Sequence, residues 1–107
     1  MKAVGLDRDT IKAGLADRSI LLIDVREPHE FAAGHIPGSV PHPLSTFDTA
    51  AIADLIAQDG RRPVFSCMSG VRSVHALAAA QNAGLPLEEH YVGGFKDWAA
   101  SGETIDV

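Results

Sequence analysis

Ser19-Ile20-Leu21-Leu22-Ile23-Asp24-Val25 is a short, nearly unbroken run of branched apolar residues, the pattern of a strand covered on both faces. Arg61-Arg62-Pro63-Val64-Phe65-Ser66 predicts a second strand, with Pro63 confined to its start because proline has no N–H to give a ladder. Glu89-His90-Tyr91-Val92 predicts a third, stopped by Gly93-Gly94. The period changes between these runs. Ile52, Leu55 and Ile56 share one helical face, as do Val71, Val74, Leu77 and Ala78. Asp48 or Thr49 is placed to cap the first of these helices, and Gly84 to end the second, which runs through Ala80. Ile11 and Leu15 predict a helix near the N-terminus, and Phe95 and Trp98 one near the C-terminus, as core anchors. Strands alternating with helices imply right-handed crossovers, hence an α/β fold with a mostly parallel sheet and helices on both faces. In such sheets ligands bind beyond the carboxyl ends of the strands. No repeat, low-complexity tract or linker interrupts the pattern, so residues 1–107 are expected to form one domain.

Composition narrows the function classes. With 46% hydrophobic and 21% charged residues the chain is globular in type, and its net charge of −5 argues against general nucleic-acid binding. No run approaches the roughly 18 apolar residues of a membrane span, and the first nine residues lack the apolar core of a signal peptide. Cys67 is the one cysteine, which rules out an internal disulfide framework. The expectation is a soluble protein of a reducing, cytoplasmic compartment. Arg61, Arg62 and Arg72 are the basic residues expected to draw a small anion despite the acidic balance.

The candidate chemistry lies where the second strand ends. Cys67-Met68-Ser69-Gly70-Val71-Arg72-Ser73 runs from that strand straight into a helix, which puts the sulfur at a helix N-terminus. Amides without intrahelical partners and the positive end of the helix dipole favour a thiolate there. Gly70 lets the backbone turn around the sulfur, and Arg72 adds a fixed cation with several donors. Together these predict a thiol titrating below ~8.5, hence a nucleophile at neutral pH. An inert buried cysteine is the plainer alternative for a single Cys in a small domain.

The loop from Cys67 to Ser73 resembles the active-site loop of the rhodanese family: cysteine, glycine three residues on, arginine five residues on, then Ser or Thr. Two more motifs agree, in the family's order. Asp24-Val25-Arg26-Glu27-Pro28-His29-Glu30-Phe31-Ala32-Ala33-Gly34-His35-Ile36-Pro37-Gly38-Ser39 is similar to the signature near the start of rhodanese domains. Val92-Gly93-Gly94-Phe95 with Trp98 is similar to the Gly-Gly turn and tryptophan-bearing last helix. The likeness runs from about Asp7 to Gly102. Two departures from the family pattern, Val40-Pro41-His42-Pro43 and Met68, bear on substrate preference more than on fold.

The resemblance implies a five-stranded parallel sheet flanked by helices, with the cysteine loop at its carboxyl edge. It also implies a sulfurtransferase needing no cofactor. Cys67 would take the outer sulfur of thiosulfate or a similar small anionic donor as a persulfide, then give it to cyanide or a thiol. Met68, Ser69, Gly70, Val71 and Arg72 would surround that sulfur with amides. Four residues separate Cys67 from Arg72, one fewer than in the related tyrosine-phosphatase loop. The shorter ring suits a terminal sulfur and crowds a tetrahedral phosphate, which ranks phosphatase or arsenate reductase chemistry below sulfur transfer. A persulfide relay serving a protein donor or acceptor is the other alternative.

The supporting residues carry plainer expectations. Two roles are open to Arg72: orienting the donor, or tying the loop to nearby acids such as Asp24. Asp24 and Arg26 are expected to form a partly buried ion pair or a hydrogen-bonded link to neighbouring loops. Ser73 belongs to the loop, and His35 to a turn that is mainly structural, with proton donation as its functional alternative. His29, His42, His75 and His90 show no convergent spacing for a metal. Gly93-Gly94 is expected to bring the last helix close to the cysteine loop.

Overall fold

The computed structural model describes all 107 residues. Its elements follow in order β1 (Val4–Leu6), α1 (Arg8–Ala16), β2 (Ile20–Asp24), α2 (Pro28–Ala33), β3 (Val40–Pro41), a 3-10 turn (Leu44–Thr46), α3 (Thr49–Asp59), β4 (Arg62–Ser66), α4 (Val71–Asn82), β5 (Glu89–Tyr91) and α5 (Gly94–Ala100). The five strands form one sheet in the order β1-β5-β4-β2-β3, and every pairing is parallel. The α/β fold with a five-stranded parallel sheet is therefore as expected.

β2 and β4 sit centrally, and their register fixes the site: Ile23 pairs with Phe65 and Asp24 with Ser66, so both strands end together. All five residues of β2 are buried. Its odd-numbered residues Leu21 and Ile23 join Val25, Ile52, Phe65, Cys67, Ala76, Leu77, Ala80 and Leu87 on one face. Its even-numbered residues Ile20 and Leu22 join Ile11, Ile36, Val64, Tyr91 and Trp98 on the other. Each such Leu or Ile side chain contributes about 1.5–3 kcal/mol by leaving water. Asp48 caps α3, its side chain accepting from the amides of Ala50 and Ala51. α4 runs to Asn82, two residues before the positive-φ Gly84.

The edges were the hard part to foresee. β1 and β3 have three and two residues, and neither Val4-Gly5-Leu6 nor Val40-Pro41 is long enough to show an apolar period. α2 is equally short, set by Pro28 in its first turn and by a capping box between Glu27 and Glu30. No helix is long and apolar enough to cross a membrane.

Just beyond β2, Arg26 and Asp24 form the expected ion pair, more deeply buried than foreseen at 2% and 4% exposure. Arg26 Nε lies 3.1 Å from both carboxylate oxygens and Nη2 lies 2.8 Å from Oδ2. The same Nη2 donates to the carbonyl of Gly34 at 2.8 Å, and the guanidinium sits 4.3 Å from the centre of the Phe95 ring. One cation thus joins the end of β2 to the end of α2 and to α5.

Candidate active site

Cys67 is the residue after β4, and Gly70 is the N-cap of α4. Met68 and Ser69, the two residues between them, fold the chain back so that the Gly70 amide donates to Cys67 Sγ at 3.1 Å. Gly70 has φ +90°, and a Cβ there would lie 2.6 Å from the carbonyl oxygen of Val92. Glycine is therefore required both by the left-handed backbone and by the approach of the β5–α5 turn. On the other side Ser73 Oγ lies 3.5 Å from Sγ.

These contacts compete with burial. Cys67 is 1% exposed and packs in the Leu21–Phe65 core face, and burial pushes its thiol up. Hydrogen bonds from the Ser73 hydroxyl and from the amides of Ser73, Ser69 and Gly70 pull it down by more, so the thiol stays below its ordinary value. The sulfur is thus more enclosed than a nucleophile at an open helix mouth, yet polar donors face it. Ser69 and Val71 form the exposed rim of the loop, while Met68, Gly70 and Arg72 are half-buried. A cleft of about 300 Å³ opens beside Met68, lined also by Arg26, His29, Glu30, Gly34 and Phe95.

The β5–α5 turn holds the loop from behind. Phe95 N–H donates to the carbonyl of Cys67 at 2.9 Å, and Lys96 N–H to that of Met68 at 3.0 Å. Gly94, at φ +64°, makes this possible, because a Cβ would meet those two carbonyl oxygens at 2.6 and 2.5 Å. The expected role of Gly93-Gly94 is met. Gly94→Ala is expected to cost ~2 kcal/mol or more, from left-handed strain plus overlap with backbone that cannot yield. A thermal melt checks this, and an unchanged Tm contradicts it.

Arg72 ties the loop to an acid, one of its two expected roles, but that acid is not Asp24. Its partner is Glu30 of α2, at 2.6 and 2.9 Å, whereas Asp24 is occupied by Arg26. Two N–H···O contacts hold the guanidinium across the loop mouth. Arg72 pulls the Glu30 carboxyl down from 4.5 to about 2. Because the folded value is the lower one, the stability it adds is complete above 4.5 and disappears as pH falls through about 2. Wild type should exceed Glu30→Gln by about 1–2 kcal/mol at neutral pH, after allowance for solvent. Urea denaturation should show that gap closing toward pH ~2; a gap independent of pH contradicts the pair.

The positive patch expected of Arg61, Arg62 and Arg72 is not formed. Arg61 is paired with Asp59 and Arg62 with Glu89. Arg62 also starts β4 while Cys67 follows its end, roughly 16 Å away at 3.3 Å per residue. His35 is held within its turn: its Nδ1 lies 2.9 Å from the carbonyl of Phe31, and its ring stacks on Phe31 at 3.8 Å. Its backbone bridges to Asp106. No group of three or more His, Cys, Asp or Glu side chains is arranged to hold a metal.

One residue at the site was weighed in the sequence only as a metal ligand. His90, on β5, places Nδ1 2.8 Å from Ser73 Oγ, so a buried polar chain runs from Cys67 through Ser73 to the imidazole. Its only sequence signal was a polar residue inside a run that predicts a strand.

Known proteins resemble this chain in sequence and in fold. Residues 7–101 match the family model for the rhodanese-like domain. The mouse thiosulfate sulfurtransferase/rhodanese-like domain-containing protein 3 is 34% identical over 105 residues, covering 88% of this chain and 67% of that protein. The probable adenylyltransferase/sulfurtransferase MoeZ of Mycobacterium tuberculosis is 39% identical over 92 residues, covering 86% of this chain but 22% of that protein. Among solved structures, the human single-domain sulfurtransferase TSTD1 superposes with TM-score 0.71 at 28% identity, covering 92% of this chain and 96% of that one. A sole cysteine cupped between strand and helix, on a five-stranded parallel sheet and within a family match spanning most of its length, makes this chain a member of the rhodanese-like domain family.

Proposed function

We propose that this domain is a sulfurtransferase that carries a sulfane sulfur on Cys67. The observation that carries the reading is the Gly70 amide 3.1 Å from the sulfur of the sole cysteine, in a setting whose hydrogen bonds lower the thiol from its ordinary value. The names of the mouse and human relatives support the reaction class, and the mouse name supports thiosulfate as donor. The Cys67 thiolate attacks the outer sulfur of thiosulfate. The S–S bond of the donor breaks, sulfite leaves with the electron pair, and a persulfide remains. Amides of Met68, Ser69, Gly70, Val71 and Arg72 would receive the negative outer sulfur. Cyanide or a thiolate then attacks that sulfur and the Cys67 thiolate returns. The donor would approach by the Met68 cleft, and Arg72, held by Glu30, offers its remaining N–H groups to an oxyanion. Such chemistry needs no cofactor, and a reducing, cytoplasmic compartment would keep the thiol free.

Intact-mass measurement after mixing with thiosulfate tests this. One added sulfur atom, lost again on adding cyanide and absent in Cys67→Ser, is expected. An unchanged mass with thiosulfate and with other sulfane donors overturns it.

A protein donor or acceptor is the second reading. Val71 on the loop rim and Val92 beside it are 60% and 54% exposed, an apolar margin that a small anion does not use. Slow turnover of thiosulfate together with rapid loading of Cys67 from a persulfidated protein would favour it.

A further inference from the structure

Cys67 raises a question of proton traffic. At 1% exposure its thiol has almost no surface through which water can remove a proton, and Arg72 is engaged with Glu30. Ser73 is fully buried and His90 is 5% exposed. Their contacts run in series, 3.5 Å from Sγ to Ser73 Oγ and 2.8 Å from Oγ to His90 Nδ1. The ring also lies beneath the loop, its Cε1 3.8 Å from where a Cβ on Gly70 would be. Buried histidines are usually fixed by a carboxylate or a carbonyl. This one meets a hydroxyl whose other neighbour is the nucleophile.

We propose that His90 is a positioning residue for Cys67, acting through Ser73 to draw the proton from the thiol and to aim the Ser73 hydroxyl at the resulting thiolate. The inference rests on Cys67 being the sulfur carrier and adds how that sulfur is kept ionised. With Nδ1 unprotonated, Ser73 O–H donates to it and Ser73 Oγ accepts from the S–H. On ionisation the S–H proton passes to Oγ while the Ser73 proton passes to Nδ1. The S–H bond breaks, an N–H bond forms, and a solvent base takes the proton from Nε2. The ring is then neutral again, carrying its proton on Nδ1. It now donates to Oγ, and the Ser73 hydroxyl donates to the sulfur. No electron is transferred, and the proton ends in solvent.

The surroundings leave this relay undisturbed. In β5 the neighbours of His90 are Glu89, paired with Arg62, and Tyr91, whose hydroxyl is hydrogen-bonded to Asp97. Across the sheet it faces Gly5 of β1 and Phe65 of β4. From α4 and its loop it faces Ser73 and, beyond it, Cys67. Burial holds the imidazole below its ordinary value, as a ring that must return to neutrality requires.

The test is the Cys67 titration, followed by thiolate absorbance and by alkylation rate against pH, in the intact chain and in His90→Phe, His90→Asn and Ser73→Ala. His90→Phe and Ser73→Ala should each move the midpoint up by about one unit, a ~10-fold slower alkylation at neutral pH. His90→Asn, whose side-chain amide can still donate to Ser73, should recover most of it. Combining His90→Phe with Ser73→Ala should add little to either alone. An unmoved midpoint in folded His90→Phe, or in Ser73→Ala if the larger ring does not fold, overturns the proposal, as do additive shifts. The readout is independent of sulfur transfer: wild type that titrates low yet takes no sulfur refutes the transferase reading and leaves this relay standing.

Discussion

Cys67→Ser should reduce transfer of sulfur from thiosulfate to cyanide to background, a loss of at least ~10³-fold if the persulfide is obligatory. The hydroxyl that replaces the thiol keeps the size and the Gly70 amide contact, so the fold should survive. It cannot become the nucleophile, because donors that lower a thiol below its ordinary value still leave an alcohol, which starts several units higher, un-ionised. Thiocyanate formation measured with folded variant checks this directly. Activity retained within tenfold of wild type would place the chemistry elsewhere. The chain offers no second cysteine, so partial compensation by a neighbouring thiol is excluded.

The second large effect concerns stability. Asp24→Ala should destabilise the domain by about 3–5 kcal/mol, because it leaves the Arg26 charge buried and unpaired. Arg26 is 2% exposed, and its remaining hydrogen bond, to the Gly34 carbonyl, is no substitute for a counter-ion. Replacing both residues, as Asp24→Leu with Arg26→Met, should recover much of that loss, since removing a buried pair together is far less costly than halving it. The double variant should nonetheless transfer sulfur more slowly. The Gly34 and Phe95 contacts of Arg26 hold α2 and α5 together, and these helices carry Glu30 and the amides that grip the loop carbonyls. Chemical denaturation of the single and double variants separates the outcomes; equal stability of Asp24→Ala and wild type would mean that the charge is solvated after all.

The centre of the fold was legible because its signals are contiguous. Ile20 to Asp24 is buried on both faces and reads so, and strand, cysteine, glycine and helix follow one another without a gap around Cys67. The edge strands β1 and β3 were not legible residue by residue, since two or three residues cannot display a period; only the family likeness supplied the count of five. Arg72 shows the other limit. Its partner is 42 residues away, and which acid it meets depends on where α2 lands against α4. Asp24 looked equally suitable in the sequence, but Arg26, two residues on, already held it. The same applies to His90, 17 residues from Ser73: only the parallel register of β4 and β5 brings it beneath the loop. The positive patch read from Arg61 and Arg62 failed for a related reason, because each arginine found an acid nearer than the site.

The claim on which the chemistry depends is that folding lowers the Cys67 thiol despite enclosing it. With one cysteine in the chain, thiolate absorbance followed against pH reports that residue alone, and the same protein in denaturant provides its own reference near 8.5. The native midpoint should lie clearly below the denatured one, and a native midpoint at or above it would show that burial outweighs the Ser73 and amide hydrogen bonds.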